Sequence, residues 1–307
     1  MLLFQYHYEK LCTLIFYEAR DEELKQAILI LDHMASEVLK SNLEIVPDDL
    51  FDVYIHFDKS MSQSRFDSFT SWLSQKQLSN VYIIEDRIKT AWAAPSLMAA
   101  ELNLFKEANK RGYKYYHLIS GADVFTKNPK QVFSFFENAS GEWVDIWEIN
   151  TKKYENRVRY WYPLTEFGVR KHGIIWMLQK ALLVFQKAIR INRNVGFKQI
   201  VAGSQWGSFS DQFVTFLVQN SQKIKDAFAN TLVPDELYKT TVLYENQDFF
   251  EIRNENFRYY RFVGNSPENL SPTTLSKIAS DKYFFARKVA SMDGIDLTEM
   301  LRLHDNV

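Results

Sequence analysis

YYHLISGADVFTKNPKQVFSFF, residues 115–136, is the stretch that decides the fold. Tyr115–Ile119 is an aromatic and apolar run, the pattern of a strand buried on both faces. It breaks into Ser120-Gly121-Ala122-Asp123, small residues and a carboxylate at the strand's end. Pro129 then opens a helix, at a position where a missing N–H costs nothing. A buried strand that ends in a polar turn and feeds a helix is the unit of an open α/β sheet. Ligands of such sheets sit at the carboxyl ends of the strands.

The same rhythm extends outward. Cys12–Tyr17 (CTLIFY) reads as a buried strand. Asp21–Leu39 reads as a helix, with Leu24, Ala27, Ile28, Leu31 and Met34 at helical spacing. Asp52–Phe57 is a strand ending in Asp58, Phe66–Leu73 a helical stretch and Val81–Ile84 a further strand. Ala94–Lys110 is a long amphipathic helix with Leu97, Ala100, Leu104 and Ala108 on one face, and Trp143–Ile149 is a strand. Strands alternating with helices predict an α/β fold with a mostly parallel sheet and helices on both faces. Asp58, Arg87 and Ser120–Asp123 all fall at predicted strand ends, where a nucleotide should sit.

The second half loses the alternation. Thr151–Lys171, with Arg157, Arg159, Tyr160, Trp161 and Tyr162, has no clear period and reads as a long loop over the active face. Gly173–Arg190 reads as a helix with a broad apolar surface and a polar stripe of Gln179, Lys180, Gln186, Lys187 and Arg190, extended by Arg193 and Lys198. That stripe is either a solvated face or the underside of a basic amphipathic helix resting on anionic lipid headgroups. The second reading gives a peripheral membrane contact through residues 173–198. No linker or repeat divides the chain. The expectation is a single domain over 1–307, with a nucleotide-binding half (1–150) and an acceptor-binding and catalytic half (151–307).

Composition narrows the classes. The 307 residues are 46% apolar and 24% charged, enough for a sizeable core in a globular protein. A net charge of −1 argues against a nucleic-acid binder. Cys12 is the single cysteine, so no intrachain disulfide and no cysteine-based zinc site can form. The six histidines show no metal-ligand spacing. No apolar stretch is long enough to span a bilayer and no secretory pattern opens the chain, so the expected location is cytoplasmic, or peripheral on the inner face of the cell membrane.

Three further segments carry polar groups in order: Gly203-Ser204-Gln205-Trp206, Pro234-Asp235-Glu236, and the cations Arg258 and Lys288. Each has a plain structural explanation. Asp123 suits a turn, Trp206 a core, and Glu236 the first turn of a helix, where the dipole favours carboxylates. Their order and wording add what the single motifs lack. Tyr115–Phe136 resembles the Ser-Gly-x-Asp segment of the core-2/I-branching β-1,6-N-acetylglucosaminyltransferase family, which also includes peptide O-xylosyltransferases. Val53–Ser60 is similar to its His-x-Asp strand, Trp92–Leu104 to its aromatic-led helix and Gly203–Phe213 to its Gly-Ser-Gln-Trp segment. Val233–Tyr238 is similar to its Pro-Asp-Glu segment, and Asn256–Tyr259 and Ser280–Lys288 to its two C-terminal basic segments. The resemblance spans roughly residues 10 to 290.

It implies a GT-A-like fold and inverting, metal-independent transfer from a UDP-sugar to a hydroxyl of a cell-surface glycan in β linkage. N-acetylglucosamine is the first donor sugar to expect, with UDP-xylose and UDP-glucuronate as alternatives and a capsule, exopolysaccharide or lipooligosaccharide as product. By resemblance Glu236 is the catalytic base, Arg258 (with Arg261 as rival) and Lys288 hold the diphosphate, and Asp58 contacts the nucleoside. Asp123, Ser204, Gln205 and Trp206 are candidate sugar contacts, and Lys127, Arg157 and Arg159 candidates for an anionic acceptor. The chain contains no Asp-x-Asp pair, the motif that binds the ion of metal-dependent relatives, so no cofactor is expected and side-chain cations must neutralise the leaving group. After its first strand the family often has Ala-His-Lys, where this chain reads Phe16-Tyr17-Glu18-Ala19-Arg20. A non-catalytic glycan- or nucleotide-binding protein of the same fold is the alternative from another class.

Overall fold

A computed structural model describes residues 24–168, 173–264 and 266–303. The expected strand Cys12–Tyr17 lies outside them. A seven-stranded sheet forms the centre, built from β1 (Gln26–Asp32), β2 (Phe51–Phe57), β3 (Val81–Ile83), β4 (Tyr115–Ser120), β6 (Glu142–Trp143), β9 (Gly207–Ser210) and β10 (Ile252–Arg253). Their order is β10-β6-β9-β4-β1-β2-β3. β1 pairs in parallel with β2 and β4, with Leu31 opposite both His56 and Ser120. β9 alone runs against its neighbours, pairing antiparallel with β4 and β6. That reversal matters for the site. Gly207 lies opposite Leu118, so the chain entering β9 passes the carboxyl end of β4.

Helices cover both faces. α1 (Glu37–Ile45), α2 (Gln63–Lys76), α4 (Pro129–Glu137), α10 (Pro272–Ala279) and α11 (Leu297–Leu303) pack with Ile28, Ile30, Val53, Ile55 and Phe57. α3 (Pro95–Asn109), α7 (Asp211–Gln219), α8 (Ser221–Phe228) and α9 (Tyr238–Glu245) pack with Ala27, Leu29, Leu31, Tyr116 and Leu118. Alternate residues of one strand thus enter different cores, which is why these strands are continuously apolar. The expected α/β class holds: among the described residues eleven α-helices accompany the mostly parallel sheet.

Smaller pairings complete the chain. β5 (Val124–Phe125) joins β14 (Phe285–Arg287), which runs parallel to β11 (Arg258–Tyr260). β7 (Ile146–Ile149) pairs antiparallel with β8 (Val201–Gly203), and β12 (Phe262–Val263) with β13 (Ser266–Pro267).

Four expectations need correction. Residues 26–32 of the expected helix Asp21–Leu39 form β1, because Leu29 and Ile30 fill the positions between the helical-period residues and both faces are buried. The loop after this strand therefore begins at His33-Met34-Ala35, while Phe16–Arg20 lies outside the described residues. The expected strand Trp143–Ile149 is two strands in different sheets, broken at Val144-Asp145. The expected loop Thr151–Lys171 holds α5 (Lys152–Arg159), whose inward face is only Tyr154 and Val158, one turn apart. The fourth concerns α6 (Ile174–Ala188). Its helix forms as expected, but Gln179 and Gln186 of the polar stripe are buried while Ile174, Met177, Leu178, Val184 and Phe185 face outward.

Candidate active site

The carboxyl ends of β1, β2 and β4 carry Asp32, Asp58 and the turn Ser120–Asp123. Asp123 is buried and folds the turn back on itself, accepting from Ser120 N at 3.0 Å and Ser120 Oγ at 2.5 Å. Gly121 is required by close approach: a Cβ there would collide with the Asp32 carboxylate. Asp58 is likewise occupied. It accepts from Ser60 N at 2.7 Å, Ser60 Oγ at 2.5 Å, Thr90 N at 2.8 Å and Thr90 Oγ1. Burial alone would raise its carboxyl group, but these donors hold it below the ordinary carboxylate value.

The Gly203–Trp206 segment reaches this edge because β9 is reversed. Gly203 fits where a Cβ would meet Asp145 O at 2.6 Å and Thr240 Cγ2 at 2.7 Å. Ser204 N donates to Asp145 O at 2.8 Å, and Ser204 Oγ accepts from Trp206 N at 3.2 Å. Trp206 is buried, with the Arg287 guanidinium 4.5 Å above its ring. Arg287 Nε also lies 3.4 Å from Asp123 Oδ1, so one side chain joins the 120–123 turn to Trp206.

The second cluster is centred on Glu101 of α3, a fully buried carboxylate. It accepts from Gln205 Nε2 at 2.7 Å, Tyr238 OH at 2.8 Å and Lys239 Nζ. Burial pushes its carboxyl group up, opposed by the Lys239 charge and these hydrogen bonds. Through this one group the Gly203–Trp206 segment meets the first residues of α9, and Lys239 Nζ also donates to Asp235 O at 3.3 Å in the turn Pro234–Glu236 before it. Val233 N, just before that turn, donates at 2.9 Å to Ala93 O, two residues ahead of α3.

Glu236 differs from the carboxylates around it. Its side chain is 26% exposed, its Oε2 accepts from Arg157 Nη1 at 2.7 Å, and its Oε1 has no donor among the described residues. Asp235 beside it is buried, with Oδ1 unpartnered among the described residues. Burial, together with the charges of Glu101 and Glu236, pushes Asp235 up to about 8, so it is largely protonated at neutral pH.

The expected diphosphate cations are placed differently. Lys288 is exposed and held next to the 120–123 turn, since Val289 N donates to Ala122 O at 2.9 Å. Arg258 is buried and donates to Asn256 O at 2.5 Å, Gly207 O at 2.6 Å, Leu118 O at 3.3 Å and Ser208 Oγ at 3.2 Å. Burial lowers its guanidinium to about 9, still charged at neutral pH. Arg261 is exposed and paired with Glu268 at 2.5 Å. Lys127 donates to Ala279 O at 2.8 Å.

Sequence reasoning did not find Glu101, Lys239, Arg287 or the tie between Arg157 and Glu236. Arg157 sits on a helix that reads as loop, 79 residues from its partner. Glu101 carries a signal in hindsight, being a charged residue inside the apolar run Leu97–Leu104. Among the described residues no group of three or more His, Cys, Asp or Glu could hold a metal ion.

The family described as Core-2/I-Branching enzyme matches residues 31–281, most of the chain. No curated protein matches it. The chain belongs to the Core-2/I-Branching enzyme family, a family of glycosyltransferases, and its mostly parallel sheet covered by helices is consistent with a GT-A-like fold.

Proposed function

We propose that this member of the family is an inverting, metal-independent glycosyltransferase that moves N-acetylglucosamine from UDP-N-acetylglucosamine to a hydroxyl of a cell-surface glycan in β linkage. The observation that supports this reading is the state of Glu236, a carboxylate with one oxygen held by Arg157 and the other open. In this mechanism the acceptor oxygen attacks C1 of the donor sugar from the face opposite the nucleotide. Glu236 Oε1 takes the hydroxyl proton as the new C–O bond forms. The bond from C1 to the diphosphate oxygen breaks, and UDP leaves with the electron pair. General-base assistance of this kind contributes about 10²–10⁴-fold.

The departing diphosphate needs positive charge. Lys288 is the cation proposed to touch it, exposed beside Ala122 at the carboxyl edge of the sheet. Arg258 then acts from beneath as a fixed charge, since its guanidinium is committed to backbone carbonyls. Removing one such stabiliser costs about 3–4 kcal/mol in the transition state. Asp58 and Asp123 shape the donor edge, and Trp206 offers the acceptor side a ring already covered on one face by Arg287. UDP-xylose and UDP-glucuronate remain donors to be compared, because they present the same diphosphate.

The test is UDP release from a panel of nucleotide sugars in excess EDTA. Turnover with UDP-N-acetylglucosamine that survives chelation and is nearly abolished in Glu236→Gln, with UDP binding retained, fits the proposal. Turnover that collapses with EDTA and returns with manganese rejects the metal-free mechanism. Glycan binding without UDP affinity rejects the transferase in favour of a binder.

A further inference from the structure

We propose that α6 is a membrane-docking helix, which lays an outward apolar face into the headgroup region of an anionic bilayer. The helix is mounted with its apolar side to solvent. Ile174, Met177, Leu178, Val184 and Phe185 are between 55 and 74% exposed, and their separations of three, four and seven residues put them on a single face. Its two glutamines are turned inward. Gln186 accepts from Trp161 N at 2.7 Å and donates to Trp161 O at 2.9 Å, while Gln179 accepts from Leu164 N at 3.2 Å and donates to Trp161 O at 3.3 Å. These bonds satisfy the backbone of the segment after α5 and fix which side of the helix points out. An exposed stripe of this kind marks an interaction surface.

Charge selects the occupant. Residues 167–210 contain no Asp or Glu. Lys180, Lys187 and Arg190 are exposed around the apolar face. Lys180 Nζ lies 4.0 Å from the Trp176 ring and Lys187 Nζ 5.9 Å from the Tyr160 ring, so ammonium groups and amphipathic aromatics share one rim. Glu166, the nearest carboxylate upstream, is engaged by Ser96 N at 2.8 Å. A symmetric contact with a second copy would bring this basic rim against itself. An anionic lipid surface instead complements it, attracting each basic residue held near the surface. At 15 residues α6 is about 22 Å long, so it lies in the interface and does not span it. The segment that α6 rests on leads to the proposed base: Tyr162 N donates to Asn230 O at 2.9 Å and Leu232 N to Arg157 O at 3.1 Å, and Arg157 holds Glu236. A lipid-carried acceptor would then reach Glu236 from the surface, a consequence that rests on the transferase reading; the docking itself does not.

Flotation of the full chain with vesicles of equal parts phosphatidylglycerol and phosphatidylcholine tests the proposal without any turnover. The protein should float with these vesicles, lose binding as salt rises, and stay at the bottom with phosphatidylcholine alone. Val184→Asp with Phe185→Asp should abolish flotation while leaving the melting temperature and UDP binding unchanged. Lys180→Glu with Lys187→Glu should weaken binding about tenfold or more. The proposal falls if the wild type does not float, if Val184→Asp with Phe185→Asp floats equally well, or if sedimentation shows a dimer that this double variant dissolves.

Discussion

Two short acidic turns, Ser120–Asp123 and Pro234–Glu236, lie at element ends near the same edge of the molecule, yet they are built in opposite ways. Asp123 is saturated, taking two bonds from Ser120 and facing Arg287. In the other turn, among the described residues, Glu236 keeps one oxygen open and Asp235 keeps one buried and unpartnered. A saturated carboxylate holds a backbone shape. An under-occupied one is free to receive a proton. Sequence cannot tell the two apart, because both read as a small or rigid residue followed by acid.

The largest expected effect falls on the open turn. Glu236→Gln preserves size and the contact with Arg157 in altered form, and should lower kcat by about 10²–10⁴-fold with little change in melting temperature. Comparable activity in the variant would erase the distinction between the turns. The saturated turn should fail the other way: Asp123→Ala should cost about 3 kcal/mol of stability in denaturant titration, because it strips the Ser120 donors and leaves Arg287 unpaired.

Asp235 supplies a pH test. In the unfolded chain its carboxyl group has the ordinary value of 3.8, and in the fold it stands at about 8. Between those values the unfolded chain has released a proton that the folded chain keeps, so this residue makes stability fall as pH rises from about 4 to about 8 and level off above. Asp235→Asn should remove that slope, gaining about 1–3 kcal/mol at pH 8 and nothing near pH 4, as read from melts across the range. A slope unchanged in the variant would assign the pH dependence elsewhere. The smallest effect is expected at Arg157. Arg157→Ala should lower kcat about tenfold, or about 1.4 kcal/mol, with partial recovery in Arg157→Lys and KM for the donor unchanged.

Much of the fold was legible because burial imposes period and length. β2, β3 and β4 and helices α2, α3 and α4 stand where their apolar patterns put them. β1 was not, since five apolar residues in a row satisfy a helical template as well as a strand. α5 escaped because Lys152–Arg159 buries only Tyr154 and Val158, too narrow a stripe to register. α6 was legible as a helix but not in orientation, which is set by the backbone groups of Trp161 and Leu164 finding Gln186 and Gln179. The motif residues were visible in sequence; their partners Arg157, Glu101 and Arg287 come from other elements and appear only once the chain is folded.

Glu101 has a consequence for how this protein can change. Gln205, Tyr238 and Lys239 all address its carboxylate, so the Gly203–Trp206 loop and the start of α9, which follows the Pro234–Glu236 turn, share one anchor. Substitutions at these four positions should be strongly epistatic, and the penalty of any one will depend on which of the others is present. Altering specificity by grafting a relative's Gly203–Trp206 loop or Pro234–Glu236 turn therefore requires moving the whole quartet as a single inherited block.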